Sequence, residues 1–211
     1  MAYDLEEQEQ IAAIKSWWSE YGNAVMIAVA ACALSLAGYQ GWRFYQHSQA
    51  MGAVTLYEQL EQAERAGDRK KVRDIAVQIT GKYGSTMYGT FAALSSARAS
   101  FESGDSAAAK SQLQWVMDNT KEDEIRDVAR LRLAGVLLDE KNPAEALKLV
   151  DTKPVESMTG LYADLKGDIL FLQDRKAEAR SSYQFALDKS EAGSAYRSAI
   201  QLKLDALGET K

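Results

Sequence analysis

The chain has 211 residues and a formal net charge of −5, its 25 lysines and arginines being outnumbered by 30 aspartates and glutamates. That argues against a nucleic-acid partner, which needs a basic patch or stripe. The single cysteine, Cys32, excludes an intramolecular disulfide or a cysteine-based metal site, and only two prolines, Pro143 and Pro154, suit a mostly helical chain.

The first segment, residues 1–20, is acidic: Asp4, Glu6, Glu7, Glu9 and Glu20 stand against Lys15. Ile11, Ile14, Trp17, Trp18 and Tyr21 fall near one face of a helix, with Glu7, Gln10 and Glu20 elsewhere. This reads as an amphipathic tail lying in the headgroup layer or against a partner. Its acidity argues against binding by attraction to anionic lipid.

The second segment is the uncharged stretch Gly22 to Trp42, 21 residues long. At 1.5 Å per residue it covers about 30 Å, the thickness of a bilayer's hydrocarbon core. Trp17, Trp18 and Tyr21 precede it, and Tyr39, Trp42 and Tyr45 close it. Amphipathic aromatics on both borders match headgroup-level anchoring in a lipid bilayer, and the membrane helix is assigned to residues 21–45. A cleaved signal peptide wants a basic leading region and a shorter apolar core. The acidic tail and long run therefore predict an uncleaved anchor. Flanking charge leaves the orientation open, with Lys15 on one side and Arg43 on the other. Ala33, Ala37 and Gly41, four apart, form a small-residue stripe along which a neighbouring helix can pack closely.

The remainder, residues 46–211, reads as a helical repeat array. From Ser48 onward apolar residues return every three or four positions. Gly67-Asp68, Gly104-Asp105, Lys141-Asn142-Pro143 and Gln173-Asp174 each split a pair of helical segments. Val72, Ala109, Ala146 and Ala179 recur early in the second helix of each pair, at spacings of 37, 37 and 33 residues. Helix-turn-helix units of that period predict a tetratricopeptide-like solenoid. The fourth unit is the clearest, with Gly167, Ala179, Tyr183 and Ala186; the first, with Leu60, Val72, Ala76 and Ile79, is degenerate. Ser194 to Leu207 reads as a capping helix over the last apolar face. The expected fold class is all-α, a single N-terminal transmembrane helix followed by this solenoid.

Residues for catalysis are few. The one histidine, His47, sits beside the membrane, and no phosphate-binding glycine loop or dinucleotide fingerprint is present. Asp164 and Asp168 share a helix face, but a polar groove lining is the simpler use of them. No catalytic, cofactor or metal residue is assigned, and a non-enzyme is expected. First helices of such pairs line the concave face of the array. In that alignment Tyr57, Phe91, Arg98, Phe101, Arg132, Asp164, Asp168 and Phe171 point toward a groove. Aromatics mixed with both charge signs suit extended segments or a partner domain.

Three pieces together carry a family resemblance. The tail Gln8-Glu9-Gln10-Ile11-Ala12-Ala13-Ile14-Lys15-Ser16-Trp17-Trp18-Ser19-Glu20-Tyr21-Gly22, the span end Gly41-Trp42-Arg43-Phe44-Tyr45 and the divergent repeats follow in order. Over nearly its whole length the chain resembles the YfgM-like family, ancillary subunits of the bacterial Sec translocon. The resemblance implies an inner-membrane protein with a cytoplasmic N-terminus and a periplasmic repeat domain. It also implies association with the SecYEG channel and a membrane-anchored prolyl isomerase of the PpiD type, and a role in passing exported client proteins to periplasmic chaperones. The residues themselves leave an alternative open: an adaptor or regulator of another envelope assembly, signalling through the acidic tail.

Overall fold

The computed structural model describes residues 2–191 and 193–208, with side chains from residue 10 onward. Glu7 of the tail and the last residues of the repeat segment, 209–211, thus lie outside the described residues or side chains. All regular structure among the described residues is helical: α1 (Ala2–Arg65), α2 (Arg69–Tyr83), α3 (Met87–Glu102), α4 (Ser106–Asn119), α5 (Asp123–Asp139), α6 (Pro143–Val150), α7 (Thr159–Leu172), α8 (Lys176–Asp188) and α9 (Ala195–Ala206). One 3₁₀ turn, Glu156–Met158, precedes α7. The chain divides into two compact units, Met1–Gln49 and Ala50–Lys211, with the boundary just past the expected end of the span at Tyr45.

In the first unit α1 exposes apolar side chains all round, including Ile27, Leu34, Leu36, Trp42 and Phe44. A helix apolar and exposed all round is suited to hydrocarbon, and this one is long and apolar enough to cross a membrane. Its aromatic ends are organised. Trp17 packs on Tyr21 with ring centroids 5.9 Å apart, and Trp42 lies 6.3 Å from Tyr45. The Trp18 indole folds over Gly22, where a Cβ would come within 3.1 Å of the ring.

In the second unit the pairs are residues 50–65 of α1 with α2, α3 with α4, α5 with α6, and α7 with α8; α9 follows as a lone helix. Each helix from α2 onward packs on the next in the chain. The pairs close by one repeated turn. Its pivot is left-handed in all four: Gly67 (φ 69°), Gly104 (φ 81°), Lys141 (φ 60°) and Asp174 (φ 60°). The following N–H donates to a carbonyl five residues back: Asp68 to Ala63 at 3.0 Å, and Asp105 to Ser100, Asn142 to Leu137 and Arg175 to Leu170 each at 2.9 Å. This closure satisfies carbonyls that the helix end leaves without partners. The same residue then caps the second helix in three of the four turns. The Asp68, Asp105 and Asn142 side chains accept from the N–H groups of Lys71, Ala108 and Glu145. Pro143 occupies the first turn of α6, where its missing N–H costs little.

The turn brings the paired helices close, and small residues fill the crossing. Val72, Ala109, Ala146 and Ala179 are all buried. Facing them at the same 37-, 37- and 33-residue spacing are Leu60, Ala97, Ala134 and Gly167, also buried. At the last crossing only glycine fits: a Cβ on Gly167 would stand 2.4 Å from the Tyr183 ring. Core clusters straddle the pairs; Ala97, Val116, Ala129 and Leu133 of α3, α4 and α5 form one of them. Nearest-neighbour burial of this kind defines a solenoid, and α9 covers the last apolar face with Ile200 and Leu204.

The shorter third spacing has a local cause. Helix α6 ends at Val150, and the segment up to Thr159 is irregular around Pro154, which bars a helical conformation at Lys153. A buried carboxylate holds this segment: Asp127 of α5 accepts from Val155 N–H at 2.8 Å, and the Tyr162 hydroxyl donates to the Asp127 carbonyl at 3.0 Å. Arg130 pairs with the same carboxylate. Burial pushes the Tyr162 hydroxyl up to about 12.

The two turns that place Lys141 and Asp174 in the left-handed region carry a Cβ penalty that Gly67 and Gly104 avoid. Replacing either by glycine, Lys141→Gly or Asp174→Gly, should stabilise the domain by about 0.5–1 kcal/mol, while Gly104→Ala should destabilise it by about 1–2 kcal/mol. Thermal unfolding followed by circular dichroism checks this; unchanged midpoints in all three would contradict the shared turn geometry.

Candidate functional site

The first helices of the pairs carry two adjoining hollows. On α3 the lining falls at 91, 94, 95, 97, 98 and 101, and on α5 at 125, 128, 132, 135, 136 and 139. Steps of three and four run through each set and keep it on one helix face. The first hollow, about 360 Å³, is walled by Tyr57, Phe91, Leu94, Ile125 and Val128. Tyr57 is fixed there by ring contacts to Tyr88 at 5.4 Å and Phe91 at 6.5 Å. The second, about 410 Å³, is walled by Ala97, Phe101, Leu113 and Val136 and opens over Gly135. A Cβ on Gly135 would meet nothing within 4 Å, so the glycine leaves open space and no close packing requires it. Arg98 and Arg132 line both hollows.

The two arginines differ in their partners. Arg98 Nε donates to Glu102 at 2.8 Å, and Glu102 also accepts from Arg69 at 3.1 Å, tying α2 to α3. Hydrogen bonds from Arg98 and Arg69 hold the Glu102 carboxyl below its ordinary range. Arg132 is exposed and pairs with no carboxylate among the described residues.

Of the eight side chains expected at a groove, the structure brings Tyr57, Phe91, Arg98, Phe101 and Arg132 together around these hollows. The three on α7 lie elsewhere. Asp164 and Asp168 are both taken by Lys203 of α9, whose Nζ donates to each at 2.8 Å. Tyr183 donates to Asp168 at 2.8 Å, and its ring lies 5.6 Å from the lysine Nζ. Phe171 is exposed at the end of α7. The physical reason is the cap: α9 lays a lysine over the face on which these aspartates would otherwise be open. Burial pushes the Asp164 carboxyl up, opposed by Lys203. Burial also pulls Lys203 down, but its hydrogen bonds to Asp164 and Asp168 together outweigh that, and it sits above its ordinary value. Burial and the neighbouring carboxylates push the Tyr183 and Tyr196 hydroxyls up.

Sequence reasoning missed the apolar walls Leu94, Ile125 and Val128, although their three- and four-residue steps from Arg98 and Arg132 were readable. It also missed Asp127, an acidic residue in the first turns of a helix, which looks like a solvated charge until the α6–α7 segment folds onto it. In the first unit Ala33, Ala37 and Gly41 are all exposed, and a Cβ on Gly41 would meet nothing within 4 Å. No group of three or more metal-ligating side chains is clustered among the described residues.

Repeated helix pairs with small-residue crossings, an open face of first helices and a capping helix define the tetratricopeptide-like repeat class. The chain belongs to the tetratricopeptide repeat-like domain family, whose model matches residues 15–209. It is 30% identical to an ancillary SecYEG translocon subunit of Aggregatibacter actinomycetemcomitans, over 98% of this chain and 100% of the relative. It is 29% identical to the Neisseria gonorrhoeae protein of that name, over 98% and 100% of the two chains. The Escherichia coli protein of the same name is 28% identical over 95% and 96%.

The Lys203 clamp predicts a signed pH response. Its folded-state value lies above the ordinary 10.5, so its contribution is fully present below that pH and is lost as pH rises through the folded value. Asp164, also raised, has the same sign in an acidic window: its charged form weakens the fold, so stability falls as pH rises from its ordinary value through the folded one, and protonation relieves that. Lys203→Met should cost about 1–2 kcal/mol at pH 7, discounted for the partial exposure of the cluster, and should flatten the alkaline loss. Chemical denaturation across pH reads both effects, with proteolysis of α9 as a local probe.

Proposed function

We propose that the protein is a single-pass inner-membrane ancillary subunit of the SecYEG translocon. In this reading residues 1–20 are cytoplasmic, residues 21–45 cross the bilayer, and residues 46–211 form a periplasmic interaction domain. The observation that carries it is the near-full-length likeness to proteins bearing that name, which takes in the apolar helix and the repeats together. An apolar helix exposed all round supports the membrane assignment, and the two hollows support a protein-binding role. The contribution of the protein is recognition and placement, with no chemical step.

The physical benefit of the anchor is concentration. A tethered domain meets emerging chains at an effective concentration set by its linkage to the membrane, and modest affinity then suffices. Trp17, Trp18 and Tyr21 on one side and Tyr39, Trp42 and Tyr45 on the other set the depth of the helix. The stripe Ala33, Ala37 and Gly41 packs against a helix of the channel or of a PpiD-type prolyl isomerase, because small residues permit the close backbone approach that drives association in lipid. The groove residues Tyr57, Phe91, Arg98, Phe101 and Arg132 engage exported chains or a partner domain. Handing those chains to periplasmic chaperones follows from that position.

Photo-crosslinkers at Ala33 and Ala37 in native membranes, combined with a mild-detergent pull-down, test this reading. Crosslinks to a channel subunit or to the isomerase are expected. Stable recovery of other envelope proteins without the channel would move the function to a different assembly.

A further inference from the structure

We propose that the ridge between the two hollows, formed by Arg98 and Arg132, recognises an acidic side chain of an extended segment whose apolar neighbours enter the hollows on either side. This rests on the groove reading above and adds the chemistry of the occupant. Both arginines line both hollows and so belong to the shared wall. Arg98 is partnered by Glu102, whereas Arg132 pairs with no carboxylate among the described residues. Of the other carboxylates of this face, Glu64 lines the first hollow and acts on Arg98, and Asp139 lines the second. Neither is hydrogen-bonded to the ridge. Arg132 is therefore the guanidinium left free between the hollows, and such a group favours an incoming carboxylate, with which it forms a charge-assisted and often bidentate pair.

The walls on either side are apolar. Leu94, Ile125 and Val128 face one side of the ridge, and Phe101, Leu113 and Val136 the other. A ligand must therefore present apolar, acidic and apolar side chains in succession along one edge. An extended chain does so when these occupy positions i, i+2 and i+4, since its alternate side chains share a face. The occupant is thus an unfolded or strand-like protein segment with an acidic residue between two large apolar ones. An unfolded segment of this kind is what a chain leaving a membrane channel presents.

The test uses the full-length protein in nanodiscs and fluorescence anisotropy with a labelled peptide carrying leucine, aspartate and phenylalanine at alternate positions among serines. Its counterpart has asparagine in place of aspartate. The aspartate peptide should bind about tenfold more tightly, the effect of one charge-assisted contact. Arg132→Gln should abolish that preference while still binding both peptides, and Arg132→Lys should restore part of it. Gly135→Trp, which fills the second hollow from a position with free space around its Cβ, should weaken both peptides with helical content unchanged. Equal binding of the two peptides by the wild type would overturn the acidic recognition and leave the groove standing. Binding of neither peptide, or self-association of the nanodisc protein through this face, would overturn both. Crosslinking from Ala33 reads the membrane role independently of either result.

Discussion

The repeat domain depends on how closely the two helices of each pair can approach. That distance is set by a left-handed pivot and by small side chains at the crossing. The pivot reverses the chain in a fixed direction, because the hydrogen bond from the next residue to the carbonyl five residues back restrains the closure to one geometry. The crossing then admits Ala97, Ala134 or Gly167 against Ala109, Ala146 or Ala179. At the fourth pair a large ring, Tyr183, takes the space opposite a glycine. Packing interiors have little spare volume, which is why such positions hold alanine or glycine in three of the four pairs, the first having Leu60 opposite Val72.

Consequences of that spacing reach the surface. With the second helices and the next pair covering the buried faces, one face of each first helix is left for other uses. On α3 and α5 it carries the two hollows and the arginine ridge. On α7 the corresponding face is closed by α9 through Lys203. The same array thus has an open, hollowed face in its middle and a satisfied polar cluster at its end, and the difference lies in what packs on each first helix. A cap of this kind is required wherever a solenoid stops, since the last pair would otherwise expose its apolar side.

Much of this was legible in the sequence. The period, the four turns and the small residues after them came directly from spacing, and the capping helix was delimited within a residue at each end. The membrane helix was legible because length, lack of charge and flanking aromatics all bear on one physical requirement. The groove was legible only in part. Tyr57, Phe91, Arg98, Phe101 and Arg132 could be placed by repeat alignment, but that alignment carries no information on whether a neighbour covers a given face. Asp164 and Asp168 share a face with no visible partner in the sequence, because Lys203 lies 35 residues beyond Asp168. Asp127 was hidden for the same reason, its partners Val155 and Tyr162 being 28 and 35 residues away.

By itself the sequence determined the helices, their turns and the apolar span, since each follows from local periodicity, backbone preference or the thickness of a bilayer. Only the tertiary structure decided which charges are spent inside the protein and which face outward. Arg98 and Asp168 occupy equivalent places in their repeats, yet Arg98 stands on an open ridge and Asp168 is bound under a lysine. Charge pairing depends on distances between segments remote in the chain, and those distances exist only once the helices have stacked.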